Sequence, residues 1–326
     1  MIVLPAEVYP TRGSRGAEPG SVEPAYHTDM DRLVGGLEAG GSKFVCAVGT
    51  GPDDIRAETR FATTTPEATI GRAVAFFTEQ AAGAPLAALG IASFGPLDLD
   101  PRSPTFGVIT TTPKPGWRQV DLAGPLRRAL GLPVAIDTDV NGAALAEHRW
   151  GSGRGVASLV YVTVGSGIGG GALVHGRPVH GLVHPEMGHL RVPHDPVRDP
   201  FPGACPHHGD CLEGLASAPA LAARWRQAPE TLPEDHPAWE LQAHYLALGL
   251  ANVILVLSPE RVVIGGGVMA RARLYPLIRA KLASLLGGYL QTPALGEGID
   301  DYVVPPALAD RAGVLGAIAL SQAAVS

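Results

Sequence analysis

Residues 33–49, LVGGLEAGGSKFVCAVG, and residues 157–176, ASLVYVTVGSGIGGGALVHG, follow one plan. Each is an apolar run, a glycine-rich turn carrying a hydroxyl residue, and a second apolar run. Two such runs around a glycine turn predict a β-hairpin. The two copies share little sequence, so they are not a short-period repeat. They read as the openings of two domains built alike.

Around the hairpins, strand and helix signals alternate. Residues 67–82 carry apolar side chains at helical spacing. Residues 86–95, LAALGIASFG, read as a buried strand ending in a Gly-Pro turn. A helix over 120–130, a strand over 133–139 and a helix over 141–150 follow. Later come a helix over 238–257, the strand RVVIGGGV (261–268) and an Ala/Leu-rich helix over 311–324. This alternation implies an α/β sheet, and 326 residues exceed the usual size of one domain. We expect an N-terminal α/β domain over 31–135, completed by the helix 311–326, and a second α/β domain over 136–310. Residues 1–30, with four prolines and no apolar period, predict a disordered tail.

Composition narrows the function. With 46% hydrophobic and 17% charged residues the chain is globular. Its net charge of −6 and scattered Lys and Arg argue against nucleic-acid or membrane-surface partners. No apolar run reads as long enough to span a bilayer. Three cysteines, Cys46, Cys205 and Cys211, make no disulfide framework and point to a reducing compartment. With no secretory signal legible, the expected location is cytoplasmic.

Three turns share one chemistry: Gly40-Gly41-Ser42-Lys43, Gly165-Ser166-Gly167-Ile168-Gly169, and Gly265-Gly266-Gly267. Glycine lets the backbone approach a phosphate closely, and free N–H groups in such turns form anion nests. A single turn of this kind is more often a plain hairpin. Three at comparable places in two related halves point to a nucleotide cleft. Gly165–Gly170 also spells G-x-G-x-x-G, but it leads into a strand, so a dinucleotide site fails its own context.

The segment Pro133–Asn141 ends a buried strand in Asp137 and Asp139. Ligands in open α/β sheets bind at carboxyl strand ends, where a carboxylate can take a proton from a substrate hydroxyl. Asp139 is also placed to N-cap the next helix; the local pattern leaves both readings open.

Downstream, Cys205, His208 and Cys211 have C-x2-H-x2-C spacing, with His189 and His194 nearby. Structural Zn²⁺ favours four Cys or His ligands. His189 or His194 is the candidate fourth ligand, and His207 could replace His208. Glu186 and Glu213 flank the cluster, as sugar-hydroxyl ligands or as solvated surface carboxylates. His148, His175, His180, His184, His236 and His244 read as surface or satisfied polar residues.

Together these pieces resemble the ROK family of repressors and sugar kinases, from about Val34 to the last helix. The residues that carry the resemblance are Glu38–Lys43, Asp139-Val-Asn141, the turn 165–169, His184-Pro-Glu186-Met-Gly-His189, Cys205–Gly214 and Gly265–Met269. The wording is similar to the bacterial fructokinase branch, especially HPEMGH and CPHHGDCLEG. The resemblance implies a two-domain actin-like ATPase (ribonuclease H-like) fold and phosphorylation of D-fructose to fructose 6-phosphate by Mg-ATP, with Asp139 as general base. It implies Asn141, Glu186, His189 and Glu213 on the sugar. It implies Gly40, Gly41, Ser42, Lys43, Gly165, Ser166, Gly167, Gly169, Gly265, Gly266, Gly267 and Met269 on ATP, with Mg²⁺ on the phosphates. It implies a structural Zn²⁺ on His189, Cys205, His208 and Cys211, shaping the loop 184–215. Domain closure over the substrates and a homodimer are further expectations.

Three departures stand out, one being that the knot is C-x2-H-x2-C rather than the more common three-cysteine form. Glu38 replaces the Asp usual in the first loop of the wider family, and Thr138 replaces an Asn that typically contacts the sugar. Rival readings are a kinase for glucose or mannose and a non-catalytic sugar-binding regulator.

Overall fold

The computed structural model of the chain describes residues 32–325; the expected tail, residues 1–30, lies outside them. The first sheet grows from the first hairpin. β1 (Val34–Ala39) pairs antiparallel with β2 (Lys43–Gly51), and β3 (Asp54–Ala62) returns along β2. Helix α1 (Pro66–Gly83) starts with Thr65, whose side chain accepts from Ala68 N–H. β4 (Leu89–Ser93) then runs parallel to β1. All five of its residues are buried, which explains its unbroken apolar sequence. A small ribbon of β5 (Val108–Ile109) and β6 (Val120–Asp121) precedes α2 (Ala123–Leu130). β7 (Val134–Thr138) pairs parallel with β4 and delivers the chain into α3 (Asp139–Trp150). The sheet order is β3-β2-β1-β4-β7.

The second sheet repeats the plan. β8 (Leu159–Val164), β9 (Ile168–Val174) and β10 (Arg177–Pro178) form an antiparallel meander. The chain then passes through a long loop, α4 (Leu212–Ala216), α5 (Ala218–Trp225) and α6 (Ala238–Leu257). β11 (Arg261–Gly265) runs parallel to β8. After α7 (Leu274–Leu286) and α8 (Ile299–Tyr302), β12 (Val303–Val304) closes the order β10-β9-β8-β11-β12. Each hairpin thus opens a five-stranded sheet of the same connectivity.

The last helix, α9 (Ala312–Ala324), packs on the first sheet. Glycines permit that approach. A Cβ at Gly36 would lie 2.8 Å from Ile318 Cγ1, and one at Gly90 would lie 1.9 Å from the Ala317 carbonyl oxygen. α9 also crosses α3 at a glycine pair, where a Cβ on Gly316 would come within 2.2 Å of the Gly142 carbonyl. Together α3 and α9 form the layer between the sheets. One apolar cluster joins Ala92 of β4, Ala143 of α3, Ala317 of α9, and Tyr161 and Val263 of the second sheet. Glu147, fully buried in α3, accepts from the backbone N–H groups of Ser152, Ala307 and Leu308 and ties the connection before α9 to α3.

One expectation needs correction. Helix α6 is long and apolar enough, by length and composition, to cross a membrane. In this fold 56% of its apolar stretch is buried, in the core of the second half with Trp239, Leu246 and Ile254.

Candidate active site

Asp139 is the first residue of α3, directly after β7. The helix cap is Thr138, whose side chain accepts from Asn141 N–H at 3.2 Å. Asp139 is therefore not the cap, and its carboxylate is left to face the cleft. Oδ1 accepts from Val140 N–H at 2.9 Å. Burial in the cleft floor, reinforced by the negative charges of Glu38 and Glu186, pushes its pKa up to about 7.

Asp139 lines one cavity, and a second, adjoining cavity shares Gly267 and Ala270 in its wall. The inner one, of about 470 Å³, is lined by Glu38, Lys43, Asp139, Gly265, Gly266, Gly267, Met269 and Gly313. The outer one, of about 510 Å³, is lined by Gly165, Ser166, Pro229, Trp239, Gly267 and Arg271. Residues from the second and third predicted turns thus reach this double cavity, and Lys43 brings the first turn to it. Gly40 and Gly41 close the first hairpin, where Gly40 N–H donates to the Lys43 carbonyl, and Ser42 is exposed beside them. At Gly266, φ is +95° and a Cβ would lie 2.4 Å from the Val164 carbonyl oxygen. Only glycine fits that bend. Gly167 and Gly169 serve packing: Cβ atoms there would press on Glu213 Oε2 at 2.6 Å and Val140 Cγ1 at 2.8 Å.

Glu38 was not among the expected site residues. It lies near the end of β1, and its Oε2 is buried with no hydrogen-bond partner among the described residues. Burial raises its pKa, although Lys43 and Arg60 oppose the shift. A lone carboxylate in an otherwise apolar strand was the signal available in the sequence. An enclosed acceptor of this kind, beside Lys43 and Asp139, fits a cation arriving with phosphate.

Of the carboxylates expected to hold sugar, Glu186 lies near Asp139. Glu186 senses both Asp139 and Glu213 electrostatically, and burial together with Glu213 pushes its pKa up to about 7. Glu213, in the first turn of α4, accepts from Ile168 N–H at 3.0 Å, which ties it to the turn 165–169. Asn141 is 1% exposed, and its Nδ2 donates to Asp137 Oδ1 at 2.9 Å.

Two histidines read as surface or satisfied residues belong to this region. His180 Nε2 sits 3.0 Å from Asp137 Oδ2. His184 is buried, and its Nε2 accepts from Leu97 N–H at 3.0 Å. That bond leaves the proton on Nδ1, which is 3.5 Å from Glu186 Oε1. Spacing alone carried no sign of either role, because both partners are far away in the chain.

His189, Cys205, His208 and Cys211 converge with their ligand atoms within 4.8 Å of one another. His189 Nδ1 is 3.3 Å from His208 Nδ1, 3.7 Å from Cys205 Sγ and 3.6 Å from Cys211 Sγ. A tetrahedral ion with Zn-like bond lengths has N···N edges of about 3.3 Å and N···S edges of about 3.6 Å. The donor set fits such an ion. The thiols are buried, at 7% and 0% exposure, not exposed as a polar loop would leave them. His194 lies outside the cluster. It braces the loop from behind, with Nε2–H donating to the Asp199 carbonyl at 2.9 Å and Nδ1 facing Asp210 at 3.2 Å. Asp199 is held in turn by Arg224 and Tyr245.

The ROK family model matches residues 34–324 of the chain. The chain is 46% identical over 299 residues to the fructokinase of Zymomonas mobilis, covering 90% of this chain and 97% of that protein. It is 42% identical over 296 residues to the fructokinase of Streptococcus mutans, covering 90% and 98%. A ROK family glucokinase from Streptomyces griseus, solved with glucose and AMPPNP, matches in structure with a TM-score of 0.71 at 25% identity, covering 89% of this chain and 99% of that one.

Proposed function

The chain belongs to the ROK family and has its actin-like fold, and from that premise we propose that it phosphorylates D-fructose to fructose 6-phosphate with Mg-ATP. The observation that carries the reading is the placement of Asp139. It stands directly after a carboxyl strand end, in the wall of a cavity that glycine turns help to line, and it feels the charge of Glu186. The identity of 46% to a fructokinase over nearly the whole chain favours fructose over glucose.

In this reading the sugar lies against Glu186, Glu213 and the Nε2 side of His189, and ATP occupies the double cavity along the three turns. Asp139 accepts the proton of the fructose 6-hydroxyl as its oxygen attacks the γ-phosphorus. The bond from that phosphorus to the β–γ bridging oxygen breaks, and ADP leaves. A base whose pKa lies near 7 suits this task at neutral pH. Lys43 and the turn N–H groups hold phosphate charge. Glu38 and Asp139 are the carboxylates that would face Mg²⁺, which supplies charge neutralisation when bound with ATP. Zn²⁺ on His189, Cys205, His208 and Cys211 is structural: four protein ligands leave no open position for chemistry.

The division into an N-terminal domain completed by the last helix and a C-terminal domain belongs to the same proposal, as do a cytoplasmic location and a homodimer. Sedimentation at micromolar concentration tests the dimer, and a monomer there would exclude it.

The decisive assay is ADP release with Mg-ATP against fructose, glucose, mannose and no sugar, for the wild type and Asp139→Asn. Fructose-dependent turnover, reduced roughly 10²–10⁴-fold in the variant with fructose binding retained, is the expected outcome. Preference for glucose or mannose would reassign the substrate. Tight fructose binding without turnover in the wild type would make the protein a sugar-binding regulator.

A further inference from the structure

Thr138 and Asn141, the polar residues on either side of Asp139 in the motif, are both buried. Thr138 is 4% exposed and its hydroxyl caps α3. Asn141 is enclosed: its Nδ2 donates to Asp137 Oδ1, while its Oδ1 has no hydrogen-bond partner among the described residues.

His180 stands against the same strand end, paired with Asp137. Its side chain is 43% exposed while its Nε2 lies 3.0 Å from Asp137 Oδ2. The Asp137 carboxylate is buried, and its other oxygen already accepts from Thr138 N–H and Asn141 Nδ2–H. Oδ2 is therefore left for the imidazole N–H. This bond fixes the ring and its tautomer in the way that carboxylates orient catalytic histidines. Nδ1 has no hydrogen bond among the described residues and is left for a ligand. Asp137 lies two residues before the base Asp139. His184, which senses the charges of both His180 and Asp137, contacts Glu186. His180 is therefore joined through Asp137 to the segment that carries Asp139, and it stands near His184, which contacts Glu186.

We propose that His180, oriented by Asp137, is a sugar-recognition residue: its Nδ1 pairs with a hexose hydroxyl other than the one phosphorylated and helps select among hexoses. The inference rests on the kinase reading above. A site built to hydrogen-bond one hydroxyl pattern discriminates strongly against another, because a mismatched sugar leaves a polar group unpaired. The bland alternative is that His180 only offsets the buried charge of Asp137.

The test compares wild type, His180→Ala and His180→Gln. It measures KM and kcat for fructose, kcat/KM for mannose and glucose, KM for ATP, and the fructose-induced rise in Tm without nucleotide. We expect His180→Ala to raise the fructose KM by about 10- to 100-fold and to shrink the fructose-induced Tm shift. Its KM for ATP stays within about twofold, and its preference for fructose over mannose falls about tenfold. An unchanged fructose KM with unchanged selectivity overturns the inference, whatever happens to Tm. If the alanine variant does not fold, the same readouts apply to His180→Gln, which keeps a donor towards Asp137; a wild-type fructose KM there also overturns it. Wild-type protein that turns over no hexose defeats the kinase reading and this inference with it. An active wild type with an indifferent His180 defeats the inference alone.

Discussion

At Asp139 one side chain escapes the local bonds that occupy its neighbours. Thr138 takes over the cap, Asp137 is tied to Asn141 and His180, and Asp139 is left facing the cleft. Burial raises its pKa, so the ionised base forms only as pH approaches about 7. In the wild type, kcat/KM for fructose should therefore climb about tenfold per pH unit below 7 and level off above it. Glu186, also raised to about 7, steepens the acid limb if it too must ionise. A flat profile between pH 5.5 and 8.5 would remove Asp139 as the base. The sign for stability is the reverse of a salt-bridged aspartate: the contribution of Asp139 is present below the ordinary carboxylate pKa and is lost as pH rises through about 7. The position of Asp139 was legible in the sequence because a buried strand running into a helix can be read locally. The roles of Glu38, His180 and His184 were not. Each depends on a contact or an enclosure contributed by residues remote in the chain.

Among the elements, the loop between β10 and α4 is the one that the proposed Zn²⁺ would hold. Its only regular structure is a 3-10 turn over Met187–His189, yet it carries Glu186 and leads into Glu213. The four-donor cluster fixes its ends, and the His194–Asp199–Arg224 brace supports it from the core side. Removing the ion should loosen the sugar carboxylates before the nucleotide turns. Prolonged chelation is expected to lower Tm by several degrees and raise the fructose KM while leaving the ATP KM near its starting value, all reversed by Zn²⁺. Equal loss of both substrates, or none, would rule out a loop-specific structural metal. The Cys/His spacing made this site readable in the sequence. The choice between His189 and His194 needed the fold: both stand at similar distances in the chain, but only His189 points its Nδ1 into the cluster.

For the whole molecule, two sheets of one connectivity enclose α3 and α9, and the cavity that holds Asp139 lies where their halves meet. Transfer of phosphate to a sugar in competition with water favours closure of such a cleft. Small-angle scattering should show a smaller radius of gyration with fructose and AMPPNP together than with neither. Identical curves would mean that the cleft does not close. What the sequence determined by itself was local and periodic: the paired hairpins, the glycine turns, the strand bearing Asp139 and the Cys/His knot, because each lies within one short stretch whose chemistry limits its conformation. What only the tertiary structure decided was partnership across distance. Buried groups such as Asp137, Glu147, Asp199 and His184 must find hydrogen-bond partners inside the fold, and some of them, His180 for Asp137, Leu308 for Glu147, Tyr245 for Asp199 and Leu97 for His184, are far away in the chain.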